Sequence, residues 1–254
     1  MASILRQRAD LALIAQGLAP DKARALALIM SGMVYAGTQR IDKPGDMIAA
    51  DAELTVKTRI VTRGHDYVSR GGIKLAAALD HFAINPSDKI CLDIGASTGG
   101  FTDVLLRRGA TKIYAVDSGT NQLDWKLRQD TRVVVMEQTS VRALTRAMIP
   151  DAPQLIVADV SFMSLTQALP AALALAAPDA RLVALIKPQF EAAPGQIGAG
   201  GIVKDASVQA AACDDIRDWL ELAMKWRCHG LLDSPITGQD GNREYLIAAS
   251  RNKQ

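Results

Sequence analysis

Long apolar runs are missing from this chain although apolar residues make up 49% of its 254 residues. No stretch of roughly eighteen is free of polar interruption, which excludes an ordinary membrane-spanning helix. The Ala- and Leu-rich segment 165–177 is too short and contains Pro170. Aromatic residues amount to 4%, so any stacking surface for single-stranded nucleic acid is small. The three cysteines, Cys91, Cys213 and Cys228, lack the spacing of a metal site or a redox pair, and a reduced, cytoplasmic location is the expectation. The segment from Met1 to Arg8 has no apolar core of the signal-peptide kind. His65, His81 and His229 are scattered, so no metal is expected. No histidine is placed to partner Ser97 or Ser161, which argues against a hydrolase.

What is present is concentrated between Cys91 and Phe101. An apolar strand, Lys89 to Leu92, runs into Asp93 and the turn Gly95-Ala96-Ser97-Thr98-Gly99-Gly100. A segment with helical apolar spacing follows, Phe101 to Arg108. Such a turn lies at the carboxyl end of a strand, where open α/β sheets bind ligands. Ser97 breaks the Gly-x-Gly-x-x-Gly pattern of dinucleotide sites, and no Gly-Lys-Ser/Thr is present for a P-loop. The second acid, Asp117, closes the next strand, Lys112 to Val116, about where a carboxylate reaches ribose hydroxyls in nucleotide folds. Two acids around a glycine turn suit a cofactor with an amino-acid tail and a ribose, and S-adenosyl-L-methionine has both. The competing reading is an ordinary strand-to-helix turn.

Strand and helix signals alternate from Gly71 onward. A helix is expected over 72–82, strands over 89–93, 112–117, 132–136, 154–158 and 181–187, a long helix over 206–226, and strands near 228–233 and 244–249. This alternation predicts an α/β domain with a mostly parallel sheet. The Gly-rich stretch Pro194 to Gly201 follows a strand end and reads as a loop over the site. The first ~60 residues read as a separate small module. Helices are expected over 9–16 and 21–31, with Asp21 as N-cap and Gly32 as stop, then a turn over 42–46 and a strand over 53–57. Net charge is only +2, but residues 57–74 carry a local excess of +4. A polyanion crossing that junction would explain it, and so would a linker kept soluble by its arginines.

Lys74, Asp159, Lys187 and Glu244 fall at strand ends or on the junction helix, all on the expected ligand-facing edge. A lysine closing an apolar strand, as Lys187 does, is costly to bury unless paired, and Asp159 and Glu244 could pair it. In a methyl transfer to a ribose hydroxyl the attacking oxygen must lose its proton. Lys187 would accept it, Lys74 would steer substrate, and the two acids would orient the lysines. Surface salt bridges are the bland alternative for any one of the four. Phe101, Phe162 and Phe190 each follow a motif, with a core role as plausible as stacking.

Two resemblances add to this reading. Arg8-Ala9-Asp10, Gly17-Leu18-Ala19, Lys22-Ala23-Arg24-Ala25 and Ile29 to Val34 are similar to an S4 domain. That similarity implies a small α+β module binding structured RNA, with Arg6, Arg8, Lys22 and Arg24, and Arg63 and Arg70 of the junction, as candidate RNA contacts. Ser69 to Leu75, Asp93 to Phe101, Asp117-Ser118-Gly119, Asp159 to Phe162, Lys187 to Glu191 and Gly241 to Leu246 resemble the TlyA (hemolysin A) family, S4 proteins with an FtsJ-like methyltransferase domain. The resemblance runs from Arg8 to Leu246. It implies a Rossmann-like fold over 71–254 after an S4-like domain over 1–62 and a basic linker over 63–70. It also implies S-adenosyl-L-methionine as cofactor, held by Asp93, Gly95, Ala96, Ser97, Thr98, Gly99, Gly100, Asp117 and Asp159. The catalytic tetrad of FtsJ-like enzymes falls on Lys74, Asp159, Lys187 and Glu244, and the implied reaction is 2′-O-methylation of cytidine in ribosomal RNA, free or within ribosomal subunits. Ala199 stands where the family often has a basic residue. A non-catalytic RNA-binding assembly factor is the alternative from another class. A cytolysin is disfavoured, because no series of amphipathic hairpins is present.

Overall fold

The structure, a computed structural model, describes residues 6–30, 34–37, 39–41, 43–56, 66–238 and 240–251. The chain divides into two compact units, Met1–Gly64 and His65–Gln254. The expected helix stop at Gly32, Asp42 of the expected turn, and Arg63 lie outside the described residues.

In the first unit β1 (Arg6–Arg8) leads into α1 (Ala9–Ala15), followed by α2 (Lys22–Met30), β2 (Val34–Ala36), β3 (Gln39–Arg40), β4 (Met47–Ala49) and β5 (Leu54–Val56). β1 pairs antiparallel with β4, and β2 lies between β3 and β5. Asp21 caps α2, its carboxylate accepting from the Arg24 N–H at 2.8 Å. Ala9, Ala12 and Leu13 of α1 bury against Ala25, Leu28 and Ile29 of α2 and against Val34, Ile48 and Leu54 of the strands. The short strands β1 to β4 carry too few residues to show a period-two pattern, so the sequence does not announce them.

The second unit runs α3 (Gly71–His81), β6 (Ile90–Ile94), α4 (Gly100–Arg107), β7 (Lys112–Val116), α5 (Trp125–Arg128), β8 (Val133–Met136) and β9 (Leu155–Ala158). It continues with α6 (Leu165–Ala168), α7 (Pro170–Ala174), β10 (Arg181–Ile186), α8 (Pro188–Glu191), α9 (Ala206–Asp218), β11 (Trp226–Asp233) and β12 (Tyr245–Arg251). The seven-stranded sheet has the order β11-β12-β10-β9-β6-β7-β8. β8, β7, β6, β9 and β10 are mutually parallel, whereas β12 runs antiparallel between β10 and β11. The strand order reverses between β6 and β9, so the crevice at their carboxyl ends is the binding position of this topology.

Both faces of the sheet are covered, which is why its strands read as continuous apolar runs. Side chains alternate strictly between the two cores. Leu92, Tyr114, Ile156, Leu182 and Ile247 face one, with Leu165, Leu173 and Ile216. Cys91, Ile113, Leu155, Val183 and Leu246 face the other, with Leu75, Leu79 and Leu105 of α3 and α4. Leu165–Ala177 forms two short helices, with Pro170 in the first turn of α7 where its missing N–H costs nothing.

One expected boundary moves. The helical periodicity over 206–226 continues past the end of α9, but the chain leaves it through a π turn over Trp219–Ala223 and a left-handed Lys225, φ 59°. Trp226 then enters β11 and buries in the core, so that strand starts two residues earlier than expected. Burying the indole in the sheet core outweighs continuing the helix.

Candidate active site

The glycine turn after β6 has the geometry that the crevice demands. Gly95 adopts φ 81°, and a Cβ there would lie 2.5 Å from the backbone oxygen of Asp159. Gly99 adopts φ 97°, and a Cβ would lie 2.2 Å from Leu127 Cδ1. Both positions therefore need glycine, for the left-handed backbone and for space. Gly95→Ala is expected to cost about 2–4 kcal/mol of stability, read as a fall in the thermal midpoint. A midpoint within a degree of the parent protein would contradict this packing. Gly100 begins α4 against the start of α3, where a Cβ would fall 2.8 Å from the Gly72 nitrogen.

Three acids end neighbouring strands here. Asp93, inside the end of β6, is wholly buried. Its Oδ2 accepts from Thr102 Oγ1 at 2.6 Å, while Oδ1 has no hydrogen-bond partner among the described residues. Burial pushes its carboxyl up to about 7, and Asp159 adds to the push. Asp117, after β7, accepts from the Ser97 N–H at 2.8 Å and the Gly119 N–H at 2.7 Å. It thus ties the glycine turn to the next loop. Asp159 follows β9, its own N–H donating to the Ile94 carbonyl at 2.9 Å.

Four ionisable side chains form two pairs at this edge. Lys187 follows β10 and is buried, its Nζ 2.7 Å from Asp159 Oδ1. That contact is out of hydrogen-bond alignment, and the aligned bond of the ammonium is to Ser161 Oγ at 2.9 Å. Lys74, one turn into α3, donates to Glu244, with both side chains buried. Glu244 precedes Tyr245, which is in register with Ile186. Because β12 is antiparallel, its first residue lies beside the carboxyl end of β10, and that places Glu244 at the same edge as Lys187. Gly71, at the start of α3, has Asp159 Oδ2 3.8 Å from its Cβ position. The helix carrying Lys74 therefore starts beside the other pair.

The three motif phenylalanines part company. Phe101 is core. Phe162 is 92% exposed, in a left-handed conformation at φ 65°, with its ring centroid 5.5 Å from that of Phe190. Lys187 Nζ sits 6.0 Å from the Phe190 ring centre. Glu191, held up in pKa chiefly by burial, accepts from Ser164 Oγ and from the Leu165 N–H at 2.9 Å. It fastens the segment after Lys187 to the segment after Asp159.

Sequence reasoning missed several polar groups. Glu137 directly follows β8 and could have been found by the signal that marks Asp117, an acid closing a strand. Asn242 is buried, its Oδ1 accepting from the Val203 N–H and its Nδ2 donating to the Gly201 carbonyl, both at 3.0 Å. It clamps the end of the Gly-rich loop to the segment bearing Glu244, and no local pattern announces it. That loop contains two short 3₁₀ turns, Pro194–Gln196 and Ala199–Gly201.

Of the candidate RNA contacts, Arg6, Arg8, Lys22 and Arg24 belong to the first unit and Arg70 to the second. The Arg8 guanidinium makes two bonds to the buried Asp10 carboxylate, at 3.0 and 2.7 Å, so its charge is already compensated. Residues 66–70 pack on the second unit. The Val68 N–H donates to Asp103 at 2.9 Å, and the Tyr67 ring covers Gly72. No helix among the described residues is long and apolar enough to cross a membrane.

A parallel sheet reversing at β6 and β9, with an antiparallel last strand inserted at one side and acids around a glycine turn, defines a Rossmann-like methyltransferase domain. The chain belongs to the FtsJ-like methyltransferase family, whose model matches residues 67–251. It is 44% identical, over 95% of its length and 89% of the relative's, to the 16S/23S rRNA (cytidine-2′-O)-methyltransferase TlyA of Mycobacterium tuberculosis. It is 39% identical to hemolysin A of Brachyspira hyodysenteriae, over 91% of this chain and 94% of that one. A solved structure of a Streptococcus thermophilus protein that carries the name hemolysin superposes with a TM-score of 0.72 at 40% identity, covering 99% of this chain and 90% of that one.

Proposed function

We propose that this methyltransferase uses S-adenosyl-L-methionine to methylate the 2′-hydroxyl of cytidine in ribosomal RNA. The observation that carries the reading is the pairing of Lys187 with Asp159 and of Lys74 with Glu244 at the edge where the glycine turn opens. The similarity to the Mycobacterium tuberculosis enzyme supports the substrate.

The residues present fit that cofactor. Asp93 keeps one buried oxygen without a donor, as a site for an amino-acid ammonium would. Gly95, Ala96, Ser97, Thr98, Gly99 and Gly100 offer backbone for close approach, Asp117 suits ribose hydroxyls, and Asp159 borders the same crevice. When bound, the cofactor supplies an electrophilic methyl on a sulfonium. Lys187, once its ammonium has released a proton to solvent, accepts as a neutral amine the proton that the ribose hydroxyl gives up as its oxygen bonds to the methyl carbon. Asp159 compensates the ammonium that results. Lys74, paired with Glu244, presents its side chain to the substrate phosphodiester.

The helix pair of the first unit, with Arg6, Lys22 and Arg24, is the S4-like module that docks structured RNA, joined by Arg63 and Arg70 of the junction. Phe162 offers a face for the target base. Phe162→Ala is expected to lower kcat/KM for RNA roughly 5- to 100-fold while the thermal midpoint stays put, since the ring covers no core. An unchanged kcat/KM would remove Phe162 from the site. The function itself is tested by transfer of labelled methyl to purified 30S and 50S subunits, mapped by 2′-O-sensitive primer extension. Incorporation at a cytidine ribose is the expected result. RNA binding without incorporation would return the protein to the assembly-factor class.

A further inference from the structure

Glu137 stands immediately after β8, where its carboxylate gathers an unusual number of donors. Its Oε2 accepts from the Asn121 N–H at 2.8 Å. Its Oε1 accepts from the Gln122 N–H at 2.9 Å, the Leu123 N–H at 3.3 Å and the Arg128 guanidinium. Three successive backbone N–H groups thus converge on one anion, a nest formed by a turn in which Asn121 takes φ 54°. Only 13% of the Glu137 side chain is exposed, so the carboxylate has little surface left for a ligand.

The turn that Glu137 holds lies between two parts of the cofactor pocket. At one end the Gly119 N–H donates to Asp117. At the other, the Asp124 N–H donates to the Thr98 carbonyl at 3.0 Å, and Leu123 and Leu127 pack against Gly99. The residues beside Glu137 grip the same segment, with the Gln138 N–H on the Gly119 carbonyl at 3.0 Å and Gln138 Nε2 on Thr120 Oγ1 at 3.1 Å. Asp124 is held separately as the N-cap of α5, its carbonyl accepting from the Leu127 and Arg128 N–H groups at 3.0 and 3.1 Å, whereas Gln122 and Leu123 lie in no helix or strand and the Glu137 carboxylate sets their position.

We propose that Glu137 is a positioning residue for the cofactor, holding residues 119–124 as the wall that joins Asp117 to the glycine turn without touching the ligand itself. This rests on the S-adenosylmethionine reading above. The ammonium–carboxylate pairs of the tetrad are elsewhere, so the wall governs binding of the cofactor and not the transfer step. Glu137 also stays ionised throughout the accessible pH range, its carboxyl lowered to about 2 by Arg128 and the backbone donors against the opposing effect of burial.

The test is isothermal titration of the full-length protein with S-adenosylhomocysteine, together with methyl-transfer kinetics and thermal unfolding. Glu137→Gln keeps the shape but turns an amide N–H₂ toward N–H donors. Its dissociation constant is expected to rise roughly 10- to 100-fold, with KM for S-adenosylmethionine rising in step and kcat at saturating cofactor within about twofold of the parent. Glu137→Asp, which keeps the charge, should recover part of the loss. Arg128→Gln, which removes one donor to Glu137 and the Nε bond to the Leu123 carbonyl but spares the three backbone donors, should weaken binding in the same direction by a smaller factor and serves if Glu137→Gln does not fold. Folded variants that bind within twofold of the parent, or that lose kcat instead of affinity, overturn the proposal. A parent protein that does not bind S-adenosylhomocysteine overturns the cofactor reading instead.

Discussion

Lys187→Ala is expected to lower methyl transfer by about a thousandfold or more, a positioned general base contributing 10²–10⁴, while the affinity for S-adenosylhomocysteine stays within severalfold of the parent. The side chain is buried at the end of β10, beside Asp159 and bonded to Ser161. The proposed cofactor pocket of Asp93, Asp117 and the glycine turn does not include it. Alanine would leave the Asp159 carboxylate without its cation, a loss that affects the local structure as well as the chemistry. Lys187→Arg separates the two effects. Guanidinium keeps the charge beside Asp159 but does not give up its proton in proteins, so it does not serve as a base. Both variants should therefore be inactive, with Lys187→Arg the more stable in thermal unfolding. An arginine variant turning over within tenfold of the parent would show that the charge matters and proton acceptance by Lys187 does not.

Asp93→Asn is expected to exchange function for stability in a pH-dependent way. The folded protein holds this carboxyl near 7 because the group is wholly buried, whereas in the unfolded chain it sits near the ordinary value of 3.8. Between those two values the folded state binds more protons than the unfolded one, so this group makes the cofactor-free protein less stable as pH rises through the window. Well below pH 4 the penalty is absent, and above about 7 it is complete, about 4 kcal/mol. Asparagine cannot ionise and keeps an acceptor for the Thr102 hydroxyl, but it buries an N–H₂ where Oδ1 now lacks a partner, at a cost of about 1–3 kcal/mol. The two thermal-stability curves should cross, with the variant below the parent at pH 4 and above it at pH 8.5. Cofactor binding should move the other way. An ammonium needs the ionised carboxylate, so the affinity of the parent for S-adenosylhomocysteine should rise from pH 5.5 to 7, while the variant binds at least tenfold more weakly with a flat profile. Parallel stability curves with a pH-independent affinity in the parent would mean that Asp93 is neither strained by burial nor a cofactor ligand.

On the proposed reading, Glu137, Asp93 and Lys187 divide the work of the crevice among three strand ends. The carboxylate saturated with donors would shape a wall, the carboxylate left short of donors would receive a cation, and the lysine held between an acid and a hydroxyl would face the substrate. Burial and partner supply, and not residue type, decide which role each plays.

The sequence by itself determined the alternation of strands and helices in the second unit, because a strand buried on both faces must be apolar along its length and 155–158 or 181–186 read as nothing else. It determined that Asp93, Asp117, Asp159 and Lys187 stand at strand ends, since each directly follows or closes such a run. These are local facts, legible within a few residues. Tertiary structure alone decided what depends on distant segments. Lys74 meets Glu244 across 170 positions only because β12 turns antiparallel beside β10. Three of the four donors on Glu137 come from a turn 14 to 16 residues earlier and the fourth from Arg128 of α5, and Phe162 stands exposed on a left-handed backbone. The early start of β11 and the unpartnered oxygen of Asp93 are of the same kind. Loop closure and burial bring these groups together or hold them apart, and neither leaves a periodicity in the chain.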